Sequence, residues 1–563
     1  MDTIYNPQHY PSILAPFKAV RSESGYGIWA NNNAFRTDVT SIADEYNLLS
    51  VYTDTTHTKK GSPSLEVYAE RYGGFGGSKH AGSARSANYD GVQLKGLGLT
   101  PVAGKAASLS HSTGTLNLID GLLETLFSVA LNQLLPHGAV PIHAVIGTGR
   151  KDAHSGHLSD FTDGKDVLDT GCILVREAVL RPAHFMYATF FEPLCEHSVD
   201  ANQADQIARV HAEFIANAGG PDNALFKFAE FLKITARQFA YARVFGLMHG
   251  SLSYSNYSMD GRWLDLACAT TVGGYHNYAI GGHNVIPSFS TEAEFVLNIS
   301  ENFCWEFGKH IQRMVDPSIF SSIYNKHYIE ARGHFCLEFW GFDAAAFYTD
   351  EQFTPYACTL INETLTLLSI SKERLHASPS ELIENDPIVA AVMSVSQVLG
   401  IMPCQHSDVT DSPLAMALLD CYNQSNLGQS RSYIAFQQLA VLRRVLLWPV
   451  LYRDSILTTL KDIVWSNQHE QGGALIEEME SFVRWAFKGS EDLEAFCVFN
   501  TKDHTIRLDS HFNIYCNDRA CTALDAFATI QQDALLSPLL KKPIIDRYLS
   551  CLSEITQHVH QNG

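Results

Sequence analysis

Basic residues are scarce in this chain. Lys and Arg number 40 against 60 Asp and Glu, a formal net charge of -20, whereas wrapping nucleic acid or adhering to an anionic bilayer needs a surplus of Lys and Arg. We expect no nucleic-acid partner and no membrane partner, although one local basic pocket stays compatible with this balance. Long apolar runs are missing too. The most apolar stretch, Leu439 to Tyr452, is broken by Arg443, Arg444 and Pro449, well short of the roughly 18 uninterrupted apolar residues of a membrane span. The start, MDTIYNPQHY, has no basic segment followed by an apolar core, so a secretory signal is not expected and a cytoplasmic location is. The 12 cysteines include no CxxC pair, and the closest two, Cys516 and Cys521, lack metal-ligand spacing; buried reduced thiols are expected rather than a zinc or disulfide framework.

What is present is a globular composition, 46% apolar and 18% charged over 563 residues, enough for about three or four structural units. Residues 1–71 carry turn formers without clear periodicity and read as an irregular arm or lobe edge. From Tyr72 to Gly104 the composition shifts: Gly73, Gly74, Gly76, Gly77, Gly82, Gly91, Gly96, Gly98 and Gly104 surround a short strand that ends on Lys95. Glycines let backbone amides approach a phosphate, and a lysine at a strand end adds a point charge. Surface hairpins also collect glycine, so this stretch does not decide the matter alone.

Leu118, Leu122, Leu123, Leu126, Phe127 and Ala130 make a helical stripe with Glu124 beside it, and strands are expected at Pro141 to Ile146 and Cys172 to Val175, the latter followed by Arg176 and Arg181. Helical patterns run from Ala204 to Ala216 and from Ala224 to Gly246, where the glycine suits a left-handed cap. Next comes Met248 to Asp265, MHGSLSYSNYSMDGRWLD, which contains His249-Gly250, Asn256 and Asp265. Past Asp265 lies a segment rich in glycine and histidine (Gly273, Gly274, His276, Gly281, Gly282, His283) that reads as a loop near a site. Residues 321–563 are mostly helical, with a small antiparallel meander expected from Ala495 to Cys516.

Tyr72-Gly73-Gly74, Gln93-Leu94-Lys95-Gly96-Leu97-Gly98 with Thr100-Pro101, the helix around Glu124, Val140-Pro141 with Thr148-Gly149, Arg176, and the run from Phe245-Gly246 through His249-Gly250 and Asn256 to Asp265 together resemble the selenoprotein O (SelO) family. These are atypical kinase-fold proteins that transfer AMP from ATP to protein hydroxyls. The matches span about residues 72–310, and the nine-residue step from Asn256 to Asp265 carries most of their weight.

The resemblance implies an α+β, protein-kinase-like bilobal fold. Its N-lobe would cover 72–198 and its C-lobe 199–320, followed by a helical accessory region over 321–563 as scaffold, lid or partner surface. It implies ATP and Mg2+ as cofactors, Lys95 on the phosphates, Glu124 as the partner of Lys95, and Asn256 with Asp265 on magnesium. Gly82, Arg85, Arg176 and Arg181 become candidate phosphate contacts. The acceptor would be a protein, peptide or small-molecule hydroxyl.

Some positions depart from the family. Ser251 stands where ordinary kinases have the catalytic aspartate, and Ser255 where the family usually has one. Leu266-Ala267 follows the metal aspartate, Thr115 replaces a basic residue for which Lys105 is a candidate substitute, and Met186 falls at a second phosphate arginine for which Arg181 is one. These departures support an alternative, a catalytically degenerate pseudokinase subunit of a bacterial, microcin-type peptide modification complex with an acyltransferase-like partner. A third reading makes Lys95 and Glu124 a surface ion pair and Asn256 and Asp265 turn residues.

Overall fold

Residues that alternate between two buried faces build the sheet at the heart of the N-terminal third. The computed structural model describes residues 3–31, 38–53, 61–73, 80–105, 113–154, 168–189, 191–194, 203–272, 287–368, 387–398, 412–425, 431–488, 495–500, 505–509, 513–521, 539, 550 and 553. Eight strands, β1 (Leu14–Arg21), β2 (Tyr26–Ala30), β3 (Leu48–Ser50), β4 (Leu65–Glu70), β5 (Ser86–Tyr89), β6 (Val92–Lys95), β7 (Ile142–His154) and β8 (Leu168–Glu177), lie in the order β2-β7-β8-β6-β5-β4-β1-β3. Every neighbouring pair is antiparallel. Helices dominate the rest, so the chain is α+β.

Side chains two apart on a strand share a face. Leu94, Ile173 and Val175 therefore enter one core, with Ala144, Ile146 and residues Ile42, Ala43 and Tyr46 of helix α1 (Val39–Tyr46). Cys172 and Leu174 enter the other, against helix α2 (Leu118–Leu134). Gln93, Lys95 and Arg176 share the alternation of this second set, which is how the sheet delivers polar groups to the α2 side.

Residues 1–71, expected as an irregular arm or lobe edge, supply β1 to β4 and α1, with β2 and β3 at the two edges of the sheet. Their signal is weak because β1 alternates with small residues, burying Ala15, Phe17 and Ala19. Pro16 also interrupts it, at a point where β4 runs alongside and β3 does not.

Asn117 caps α2, its side chain accepting from the Ile119 N–H at 2.8 Å. The helix is buried almost all round because the C-terminal region returns to cover it. After α3 (Gln203–Ala218), α4 (Pro221–Val244), α5 (Glu292–Phe295), α6 (Asn298–Ile311) and α7 (Pro317–Phe339) come α8 (Pro355–Leu368), α9 (Pro387–Val398), α10 (Pro413–Ser425), α11 (Arg431–Leu447), α12 (Arg453–Trp465) and α13 (His469–Val483). Both α12 and α13 pack on α2, and α13 also meets β2. Gly472 and Gly473 allow this approach, since a Cβ on either would press on Leu122 or on the Ile28 carbonyl. Tyr26 hydroxyl to His469 Nδ1 at 2.6 Å and Trp465 Nε1 to Asp169 Oδ2 at 3.1 Å fasten the same contact.

Gly246 has φ +65, as its cap position predicts. The chain then forms β9 (Leu247–Met248), which pairs with β10 (Thr270–Thr271) and so closes the loop between them at its base. The expected meander is present as Ala495–Asn500, Thr505–Asp509, Ile514–Cys516 and a short fourth strand, Arg519–Ala520. Within it the Cys516 and Cys521 sulfurs lie 2.6 Å apart. Among the described residues no helix is long and apolar enough to cross a membrane. The glycine- and histidine-rich stretch within 273–286, and Gly74, Gly76 and Gly77, lie outside the described residues.

Candidate functional site

Lys95 ends β6 and Glu124 lies in the second turn of α2, so the sheet and the helix packed on it bring ammonium and carboxylate together. Lys95 Nζ donates to Glu124 Oε2 at 2.6 Å and also to Asp265 Oδ1. Arg176, on β8 beside β6, repeats the pattern: its Nη1 reaches Glu124 Oε1 at 2.9 Å and Asp265 Oδ1 at 2.8 Å. The side chains of Lys95, Glu124 and Arg176 are 5%, 2% and 2% exposed, that of Asp265 22%. This burial contradicts the surface ion-pair reading. The Arg176 and Lys95 cations outweigh burial and hold the Asp265 carboxyl well below its usual range, while its carboxylate and that of Glu124 push the Arg176 guanidinium up against desolvation.

Arg181 extends the cluster. Its Nη1 donates to the Ser255 carbonyl at 3.0 Å and lies 3.7 Å from Asp265 Oδ2, and its Nε lies 3.6 Å from Glu70 Oε2. Glu70 is fully buried; burial alone would raise its carboxyl, yet Arg181 and His184 bring it down to about 2. His184 Nδ1 accepts from the Arg181 N–H at 2.9 Å, which leaves the proton on Nε2, 3.4 Å from Glu70. Among the described residues, three cations thus face three carboxylates.

The loop that carries Asn256 and Asp265 is built around His249. Its Nδ1 accepts from the Ser251 N–H at 3.4 Å, and Nε2 bridges the Asn256 and Leu264 carbonyls at 3.0 Å each. Burial depresses this imidazole against those two carbonyls, so neutral His249 ties the two ends of the loop together. Arg262 clamps it to the end of β8 through Glu177 at 2.8 Å. Asp265 has φ +59, a left-handed conformation uncommon outside glycine and concentrated at functional sites. On the far side Arg453, at the start of α12, donates from Nε to the Ala267 carbonyl at 2.8 Å and from its backbone N–H to Thr270 Oγ1 at 3.1 Å.

Two oxygens there are open to a hard cation. Asp265 Oδ2 accepts no hydrogen bond among the described residues, with Arg181 at 3.7 Å as its ionic contact. Asn256 Nδ2 is fixed on the Ser251 carbonyl at 2.7 Å, which turns Oδ1 outward with one hydrogen bond from Ser255 Oγ at 3.1 Å. A carboxylate and an amide oxygen fit magnesium's preference for oxygen ligands. Among the described residues no group of three His, Cys, Asp or Glu is placed to hold a metal, so any cation there would keep water or phosphate oxygens as further ligands.

No family model matches this chain, and no curated protein sequence does. The reading of the site therefore rests on its geometry. Of the residues expected from sequence, Lys95, Glu124, Arg176, Arg181 and Asp265 come together as one network, with Asn256 on the loop beside it. Arg85 stays apart: it is half-buried at the start of β5, and its side chain makes no hydrogen bond or ion pair among the described residues, although its charge is felt at Cys172. Gly82 needs no phosphate to explain it. At φ +146 it bridges to Arg71, and a Cβ would collide with the Glu70 carbonyl. Lys105 does not replace Thr115 in the cluster, for it pairs with Glu192 at 3.3 Å on the surface.

Sequence reasoning missed Glu70, Gln93, His184, Glu292 and Arg453. Only Gln93 had a local signal, its place two residues before Lys95 on the same strand. Glu292, at the start of α5, receives the backbone N–H groups of His249 at 3.1 Å and Gly250 at 2.8 Å. Burial pushes its carboxyl up to about 8 in spite of these two donors. An unfolded glutamate titrates near about 4.3, so between the two values the folded chain binds the extra proton. This contribution to stability is complete below the lower value and is lost as pH rises through the upper one. The unfolding temperature of wild type minus that of Glu292→Gln should fall from about pH 5 to about pH 9; a difference constant across that range would contradict the assignment. Taking the difference cancels the buried histidines, which both chains share.

Proposed function

We propose that this chain binds ATP with magnesium and transfers a nucleotidyl (AMP) or phosphoryl group to a hydroxyl of a protein, peptide or small molecule, in a kinase-like fold of the SelO type. One observation carries the reading: a single buried lysine joins a helix carboxylate and a loop carboxylate, and Arg176 joins the same two. Such transfer is mostly positioning and charge neutralisation, and this arrangement places fixed cations, each paired with carboxylates, beside two open oxygen ligands. The antiparallel sheet with α2 packed on it, followed by a helical region that holds the loop of Asn256 and Asp265, supports the kinase-like comparison.

In this reading Lys95 and Arg176 face the phosphates, Glu124 fixes their direction, and Asp265 and Asn256 would hold the cation. Magnesium supplies charge neutralisation on phosphate oxygens. Arg181, held between Glu70, Gln93 and the Ser255 carbonyl, sets the loop against the sheet. A loose transition state asks little of a base, which suits Ser255, a hydroxyl shared with Ser253 at 2.9 Å and directed at Asn256.

The degenerate-subunit reading is favoured by that same serine, since no carboxylate or imidazole among the described residues hydrogen-bonds to Ser255 Oγ. Incubation of the chain with ATP labelled at the α- or the γ-phosphate, together with candidate acceptors, separates the readings. Label from the α-phosphate indicates AMP transfer and label from the γ-phosphate indicates phosphoryl transfer, in either case lost in Asp265→Ala. ATP binding without label on any acceptor supports the degenerate subunit.

A further inference from the structure

Gln93 lies on β6, opposite Arg176 in the β6–β8 register and two residues before Lys95. It is wholly buried. Its Oε1 accepts from Arg176 Nε at 2.9 Å and from Arg181 Nη2 at 2.8 Å. Guanidinium groups only donate, so the amide must present its oxygen here. Among the described residues its Nε2 is then left buried without a hydrogen-bond partner, an unfavourable arrangement in a closed protein interior.

The other ionic and hydrogen-bonding side-chain partners of these arginines among the described residues are acids. Arg176 has Glu124 and Asp265, and Arg181 has Glu70 and Asp265. A carboxylate at position 93 would grip two guanidiniums more strongly than an amide, because charge-assisted hydrogen bonds are roughly twice as strong as neutral ones. It would also leave no orphaned N–H. By hydrogen bonding to the two guanidiniums alone, glutamate suits the position better than glutamine. The difference is charge. With glutamine the cluster balances three cations against three carboxylates, and a fourth carboxylate would turn it negative.

We infer that Gln93 is a positioning residue of the phosphate site, aiming Arg176 and Arg181 with a neutral oxygen so that the cluster can accept a polyanionic ligand of the nucleoside triphosphate class. This rests on the nucleotide reading given above. The carboxylates aim the cations, and Gln93 adds aim without adding negative charge.

The test compares wild type, Gln93→Glu and Gln93→Met in the full chain, with ligand-free thermal unfolding and calorimetric titration of ATP in magnesium as readouts. Gln93→Glu should unfold at the same temperature as wild type or higher, yet bind ATP at least about tenfold more weakly. Gln93→Met, which keeps the charge balance and removes both hydrogen bonds, should unfold earlier. A purely structural role predicts the same stability for glutamate but with ATP binding kept. Equal ATP affinity in wild type and Gln93→Glu would overturn this inference alone. A Gln93→Glu chain that fails to fold would also overturn it, since a carboxylate must hold the two guanidiniums at least as firmly. Absence of ATP binding by wild type would overturn the nucleotide reading, and this inference with it.

Discussion

Glu124→Ala is expected to remove about 3–5 kcal/mol of folding stability, a large share of the roughly 5–15 kcal/mol available to a typical domain. The cost comes less from the lost hydrogen bonds than from what they leave behind. Lys95 and Arg176 are both buried and both hydrogen-bonded to this carboxylate. Without it Asp265 alone would face both of them. Glu124→Gln, which can accept one cation without balancing its charge, should fall between wild type and alanine. Urea unfolding measures the series; a Glu124→Ala chain within about 1 kcal/mol of wild type would mean that the cluster is solvated and worth no more than a surface pair.

Asp265→Asn is expected to separate two roles of the cluster. The substitution preserves shape and removes one of three carboxylates, which shifts the local balance from neutral to one positive. Transfer to any acceptor should fall by about 10²–10³-fold or more. Binding of ATP without magnesium should be kept or tightened, because the cations lose a competitor. The enhancement of binding by magnesium should disappear. Measured with and without the metal, this pattern points to a cation ligand. If Asp265→Asn instead weakens ATP binding equally in both conditions, the carboxylate serves only to hold Lys95 and Arg176 in place.

Much of the site was legible in the sequence because its members sit at the ends or edges of periodic elements. Lys95 closes a short strand between glycines, Glu124 flanks a leucine stripe, and Asn256 and Asp265 follow a helix stopped by Gly246. Each is marked by the pattern it interrupts. The partners that could not be read lie where the pattern is silent. Glu70 ends a strand in a region whose alternation is carried by alanines, so neither the strand nor its buried carboxylate stood out. Arg453 is distant in sequence from the loop it supports, and only the return of α12 and α13 onto α2 brings it there. The pairs Gly472-Leu122 and Tyr26-His469 show why the helical region after residue 321 could not be assigned from sequence: its role is set by contacts with the N-terminal sheet. Gly82, a glycine expected near phosphate, also has a φ and a closeness to the Glu70 carbonyl that by themselves require glycine.

The network also explains how one loop can hold two open oxygens without collapsing. His249 joins its ends, Glu292 holds the His249-Gly250 amides, Arg262 fixes it to β8, and Arg453 supports the segment beyond Asp265. Asn256 and Asp265 are thereby held from several sides, and the left-handed backbone at Asp265 is sustained by the surrounding structure.

The cluster of Lys95, Glu124, Arg176 and Asp265 is proposed above as a magnesium-dependent nucleotide site. The most direct test is calorimetric titration of the wild-type chain with ATP, with and without magnesium. Saturable binding that magnesium strengthens by at least about tenfold, or ~1.4 kcal/mol, is expected. Binding that is absent, or indifferent to magnesium, would contradict that proposal.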